Sequence, residues 1–252
     1  MGRSHLRESR RVGAARGPLR LGTVPFLNAR PLTCALEARP ERVRLRVEPP
    51  SKLAEILKAG ELDGALVSTF AMFHMPRSRY APGVGIVSCG EVGSIRFYCR
   101  KSADALARVG LDSWSLSAAN MARVLLKHRW GVTPEFVPID PERPPREDES
   151  LDAIFLIGNN ALREPPGDFY VLDLGEEWTN FTGLPFIYAL WVFPEGAGDA
   201  ATCRLLREAK EEGLPQREAI AAEAAAQLPY LTEAAARTYL TERIRYDVGP
   251  RE

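Results

Sequence analysis

Arg20-Leu21-Gly22-Thr23-Val24-Pro25-Phe26-Leu27-Asn28-Ala29-Arg30-Pro31-Leu32 decides how the rest of the chain is read. An apolar strand over 19–24 meets a proline-marked turn, and a helix over 29–38 follows. A lone Asn28 stands at the junction. A helix start carries unpaired backbone N–H groups and the positive end of the helix dipole, so such a junction suits an anion. A second stretch, Thr182-Gly183-Leu184-Pro185-Phe186-Ile187-Tyr188-Ala189-Leu190-Trp191, opens on a turn and continues as a long apolar strand. A crossover between two lobes has that form. Together the two stretches point to a two-lobed protein that closes on a small carboxylated molecule.

Working outward, strand and helix patterns alternate. Strands are expected at 43–48, 62–68, 84–89, 95–100, 112–116, 136–139, 151–157 and 170–174, and a crossover strand at 186–193. Helices are expected at 52–59, with Ser51 as its cap and Gly60 as its stop, at 104–109 and at 118–129. The polar, proline-rich run 140–150 is a surface loop. After residue 193 the chain turns helical, over 200–212, 217–228 and 232–242, the last capped by Thr232. Alternation of this kind means an α/β architecture with largely parallel sheets. The expected division is a first lobe of 19–98 joined by 190–252, a second lobe of 99–189, and a disordered Arg-rich extension over 1–18.

Composition excludes several classes of function. The 252 residues carry 33 Lys and Arg against 33 Asp and Glu, so no global field favours nucleic acid or an anionic membrane. No basic stripe with interleaved aromatics marks a nucleic-acid groove, and no apolar run is long enough to span a bilayer. Cys34, Cys89, Cys99 and Cys203 form no C-x-x-C pair and are expected as small buried thiols in a reducing, cytoplasmic setting. The three histidines are too scattered for metal ligation, and His128 falls near a helix C-terminus, where positive charge is welcome.

Four blocks of the sequence resemble the chorismate dehydratase family of menaquinone biosynthesis by the futalosine route. The stretch 22–32 resembles the family's G-x-V-x-[YF]-L-N-A-x-P-L opening. Pro49-Pro50-Ser51-x-Leu53-Ala54 through Leu62-Asp63-Gly64-Ala65-Leu66-Val67 resembles its second block, and Gly90-Glu91-Val92-Gly93-Ser94-Ile95 its third. Asp152-Ala153 through Ala161-Leu162, Asp173-Leu174-Gly175 with Trp178, and 182–186 follow its second-lobe pattern. The family's S-R-T-S run appears here as Ser115-Leu116-Ser117-Ala118, without the Arg, and its I-G-D as Ile157-Gly158-Asn159. The resemblance implies a type II periplasmic-binding-protein-like fold with two crossover strands and a C-terminal helical block. It also implies dehydration of chorismate to 3-[(1-carboxyvinyl)oxy]benzoate, with neither a metal nor an organic cofactor.

Asn28 and Ser94 are the candidate catalytic residues: an amide that both donates and accepts, and a hydroxyl after a glycine-rich turn. Position alone also permits Asn28 to be a helix N-cap and Ser94 a turn-satisfying serine. Candidate substrate-binding residues are Phe26, Ser68, Thr69, Ser115, Ser117, Asn159, Asn180 and Thr182, with Trp178 and Phe186 as possible aromatic walls. Asp63 and Asp152 precede buried strands, at the edge away from ligands, and are expected as turn or cap residues. No matching motif presents an evident general base, so one of the substrate's own carboxylates is expected to take the proton.

Two rivals share this outline. A solute-binding protein of a transporter would carry an export signal or lipid-anchor cysteine near its start, which the Arg-rich first residues do not resemble. A 1,4-dihydroxy-6-naphthoate synthase-like enzyme would place a histidine in a ligand-facing loop of the second lobe, where this chain has only His128 in a helix.

Overall fold

The computed structural model describes residues 17–114 and 117–249. In chain order the elements are β1 (Leu19–Thr23), α1 (Arg30–Glu37), β2 (Val43–Val47), α2 (Pro50–Lys58), β3 (Gly64–Ser68), α3 (Thr69–Met72) and β4 (Arg79–Ser88). Then come β5 (Ile95–Cys99), β6 (Arg108–Asp112), α4 (Ser117–His128), β7 (Glu135–Ile139), β8 (Ala153–Ile157), α5 (Gly158–Arg163), β9 (Tyr170–Asp173) and α6 (Leu174–Thr182). The chain finishes with β10 (Phe186–Phe193), α7 (Ala200–Gly213), α8 (Arg217–Gln227) and α9 (Glu233–Thr238), the last running into a π-turn over Tyr239–Arg243.

The strands form two five-stranded sheets of matching design. The first runs β2-β1-β3-β10-β4 and the second β7-β6-β8-β5-β9. In each, three parallel strands meet one antiparallel strand that carries the chain in from the other lobe: β10 against β3 and β4, β5 against β8 and β9. All five residues of β3 and all five of β8 are buried. This is why both read as unbroken apolar runs without alternation. The chain leaves the first sheet at Ser88 and enters the second at Ile95, then returns at Phe186. The changeovers therefore lie in 89–94 and 183–185, whereas the expected breaks after 98 and 189 would cut through β5 and β10.

Local structure departs from expectation at several places. Residues 104–109 hold only a 3-10 turn, Ala103–Ala105, and the strand of that region is Arg108–Asp112. Its pairing to β7 and β8 on both sides overrides the helix-like start at Ser102. Pro50 occupies the first turn of α2, where its missing N–H costs nothing, so Ser51 lies inside the helix. Residues 174–182 form a helix, because the Asp173 carboxylate caps it by accepting from Gly175 and Glu176 N–H. Cys89 is exposed, while Cys99 is buried and Cys34 and Cys203 are partly buried. The expected disordered extension lies outside the described residues up to residue 16.

The C-terminal helices pack back on the first sheet and brace the first changeover. α7 packs along α1, and Arg243 pairs with Glu91 at 2.8 Å. Beyond the π-turn, the backbones of Arg245, Tyr246 and Val248 bond to Val87, Gly85 and Gly83. This tail covers the outer edge of β4, which would otherwise present unpaired N–H and C=O groups.

Candidate active site between the lobes

The C-terminal ends of β1 and β3 from one sheet face those of β6 and β8 from the other. Ligands of open α/β sheets collect beyond such strand ends. A cleft that opens to solvent lies there. Val24, Phe26, Asn28 and Ser68 line it from the first lobe, and Trp114, Ser117, Ile157 and Gly158 from the second. Val92, Ser94 and Ile95 of the first changeover and Tyr188 of β10 form its floor.

Asn28 sits in a 3-10 turn, Leu27–Ala29, just before α1, and caps neither helix with its side chain. Its Nδ2 donates to the Tyr239 hydroxyl at 2.9 Å, while its Oδ1 is buried without a hydrogen-bond partner. A buried carbonyl oxygen left unpaired costs about 1–3 kcal/mol, so such a group in a cleft marks where a ligand donor belongs. The Tyr239 hydroxyl in turn donates to Ser94 Oγ at 2.8 Å. Burial pushes the Tyr239 phenol up to about 12, so it holds its proton at neutral pH.

Ser68 ends β3 in the first lobe and Ser117 opens α4 in the second, and their hydroxyls meet at 2.6 Å across the lobes. Ser117 N–H also donates to Ser68 Oγ, and Phe70 N–H to Ser117 Oγ. Ser117 and Ala118 bring the N-terminus of a 12-residue helix to the cleft, which favours negative charge there. Among the described residues, the lining polar side chains are Asn28, Ser68, Ser94, Ser117 and Tyr188. None is charged at neutral pH. Burial raises the Tyr188 phenol far above its ordinary value, and its hydroxyl meets Ser88 Oγ at 2.8 Å.

The lobes touch through a few definite contacts. Phe26 stacks on Trp114 with ring centroids 6.5 Å apart. Gly158 holds φ +58°, and a Cβ there would lie 2.7 Å from the Phe26 ring. Asn159 Oδ1 accepts from Leu27 N–H at 3.1 Å and its Nδ2 donates to the Pro25 carbonyl at 3.3 Å. At the base, the Asp173 carboxylate accepts from Val92 and Gly93 N–H as well as capping α6, so one side chain ties changeover to helix.

Of the candidate residues, the structure brings Phe26, Asn28, Ser68, Ser94 and Ser117 together in one cleft. Asn159 lies at the seam between lobes, beside that cleft. Thr69 opens α3 with its Oγ1 buried and unpartnered, outside the lining. Asn180 is exposed on α6, and Thr182 Oγ1 donates back to the Trp178 carbonyl. Neither lines the cleft, because the helix capped by Asp173 continues to Thr182. Trp178 and Phe186 meet edge to face with centroids 4.9 Å apart, and Phe186 in turn packs against Tyr188. Ser115 lies outside the described residues. Asp63 and Asp152 do act at the far strand ends: Asp63 accepts from Arg20 N–H, and Asp152 from Ala107 and Arg108 N–H. The Lys101 ammonium beside Asp152 holds that carboxyl below its usual range. Sequence reasoning did not find Tyr239, Tyr188 or Trp114.

A neutral, largely apolar cleft with a few hydroxyl and amide groups between two such sheets defines a two-lobed α/β protein of the binding-protein type. Solved structures agree. The chain superposes on a protein from Archaeoglobus fulgidus with TM-score 0.74 at 17% identity, covering 93% of this chain and 92% of that one. It superposes on the periplasmic aliphatic sulphonate binding protein SsuA from Escherichia coli with TM-score 0.67 at 17% identity, covering 94% and 83%. Residues 19–252 match the family described as menaquinone biosynthesis, and the chain belongs to that family. It is also 31% identical over 230 residues to the chorismate dehydratase of Thermus thermophilus, with 82% of each chain covered.

Proposed function

We propose that this protein is a hydro-lyase that converts chorismate to 3-[(1-carboxyvinyl)oxy]benzoate and water, in menaquinone biosynthesis by the futalosine route and in the cytoplasm. The observation that carries the reading is the buried Asn28 Oδ1, unpartnered in a cleft whose described polar lining is otherwise hydroxyls. Membership of the menaquinone-biosynthesis family and the Thermus relative supply the substrate class.

The reaction removes the proton from the ring carbon bearing the enolpyruvyl ether. The C–O bond to the neighbouring hydroxyl breaks, and that hydroxide takes up a proton to leave as water. The electron pair of the broken C–H bond completes an aromatic ring, so the step runs strongly downhill. Positioning and exclusion of bulk water are then the main demands on the protein. With no carboxylate or imidazole among the described lining residues, the enolpyruvyl carboxylate of the substrate takes the proton. Asn28 and Ser94 hold the leaving hydroxyl and that carboxylate, while Ser68, Ser117 and the N-terminus of α4 receive the ring carboxylate.

Purified protein incubated with chorismate is expected to give the enolpyruvyl benzoate, read by mass. Chorismate recovered intact would refute the reading, and chorismate bound but unchanged would favour a solute-binding role. Asn28→Ala is expected to lower kcat by about 10²–10³-fold, as removal of an aimed polar group does. A folded Asn28→Ala protein with undiminished turnover would remove Asn28 from the mechanism.

A further inference from the structure

We propose that Tyr239 is a positioning residue that fixes the polarity of the site. It works through a one-way chain of hydrogen bonds from Asn28 Nδ2 to the Tyr239 hydroxyl and on to Ser94 Oγ. The proposal rests on the reading of Asn28 and Ser94 given above. A phenol has one proton, and here it is spent on Ser94 at 2.8 Å. The Tyr239 oxygen can then only accept from Asn28, which turns the amide so that Nδ2 faces the phenol at 2.9 Å. Asn28 Oδ1 is thereby left as the free acceptor. Ser94 Oγ, already accepting, keeps its own proton for the ligand. The cleft thus offers one acceptor and one donor side by side. The pair can position an eliminating substrate: Asn28 Oδ1 accepts from its hydroxyl and so orients the C–O bond, and Ser94 Oγ–H donates to the leaving oxygen or to a carboxylate oxygen.

One feature favours this direction over its reverse, and two keep the chain intact. A phenol is a stronger donor than an alkyl hydroxyl, so Tyr239 gives its proton to Ser94 more readily than it receives one. Burial keeps Tyr239 protonated well beyond neutrality. All three residues are buried, Tyr239 and Ser94 to 1% exposure and Asn28 to 9%, so bulk water does not compete for these bonds. Tyr239 stands in the π-turn that follows α9, and such widened turns are frequent at functional sites.

Tyr239→Phe keeps the ring and removes the hydroxyl. Its matched control is Tyr246→Phe, since Tyr246 is 3% exposed and its hydroxyl has no partner. With chorismate as substrate, Tyr239→Phe is expected to lower kcat by about 10- to 100-fold with little change in KM, as a buried network losing one member does. Tyr246→Phe keeps both constants. Added to Ser94→Ala, Tyr239→Phe is expected to cost far less than it does alone. Full additivity would mean that Tyr239 does not act through Ser94 and would overturn the chain. A second measurement needs no turnover: in ¹⁵N-labelled wild-type protein, the Asn28 side-chain amide protons exchange slowly, and Tyr239→Phe speeds them. Fast exchange in the wild type, or wild-type constants in Tyr239→Phe, would also overturn the chain. If the wild type leaves chorismate untouched, the substrate reading falls, while the exchange experiment still decides the chain.

Discussion

Gly158→Ala separates the energy of folding from the energy of closure. Gly158 holds a left-handed backbone, φ +58°, and its added methyl would lie 2.7 Å from Phe26 Cδ1 and Cε1. Carbon atoms pack at about 3.5–4.0 Å, so roughly 1 Å must be found somewhere. The left-handed conformation costs an alanine about 1–2 kcal/mol in every state of the folded protein. Overpacking adds about 1–3 kcal/mol, but only while Phe26 of the first lobe rests on Gly158 of the second. The first term lowers Tm, by about 2–8 °C for a chain of this size. The second opposes closure and weakens substrate binding by about 5- to 150-fold. Gly60→Ala is the control, because Gly60 has φ +76° and nothing within 4 Å of an added Cβ. It should lose Tm alone. Differential scanning fluorimetry and steady-state KM for chorismate read the two terms. Gly158→Ala with a KM equal to that of Gly60→Ala would refute the view that this contact reports closure.

Asp173→Ala removes the acceptor of four backbone N–H groups, at Val92, Gly93, Gly175 and Glu176. A loss of about 2–4 kcal/mol is expected, read as a lower Tm and faster amide exchange at Val92 and Gly93; unchanged exchange there would refute the tie. Burial lifts the Asp112 carboxyl to about 6, so between about pH 4 and 6 the folded protein holds a proton that the unfolded chain releases. Stability from this group is therefore full below pH 4 and falls by about 3 kcal/mol as pH rises through 6. The Tm difference between wild type and Asp112→Asn should shift in favour of the wild type on acidification from pH 7 to 4, and a pH-independent difference would refute it.

Much of the fold was legible because burial leaves a direct trace in the residues. Buried strands such as Ala65-Leu66-Val67 and Ala153-Ile154-Phe155 are apolar throughout, and Asn28 stood out as a polar residue at a strand-to-helix junction. What escaped depends on partners distant in sequence. Arg108–Asp112 is a strand because β7 and β8 flank it, which no local pattern states. α6 did carry a signal, Asp173 with Glu176 three residues on, the form of an N-terminal cap. Tyr239 looks like any aromatic on the buried side of a helix, and only the folded chain shows that its hydroxyl reaches Asn28, 211 residues away.

That separation shapes how the protein comes into being. The ribosome delivers Asn28 early and Tyr239 211 residues later, an interval of roughly 10–40 s at 5–20 residues per second. Throughout it the nascent chain lacks its phenol, and once β4 has been made its outer edge stands bare as a template for stray pairing until residues 245–248 cover it. Translation of residues 239–248 therefore does two jobs at once: it brings the phenol to Asn28 and closes the open edge of β4.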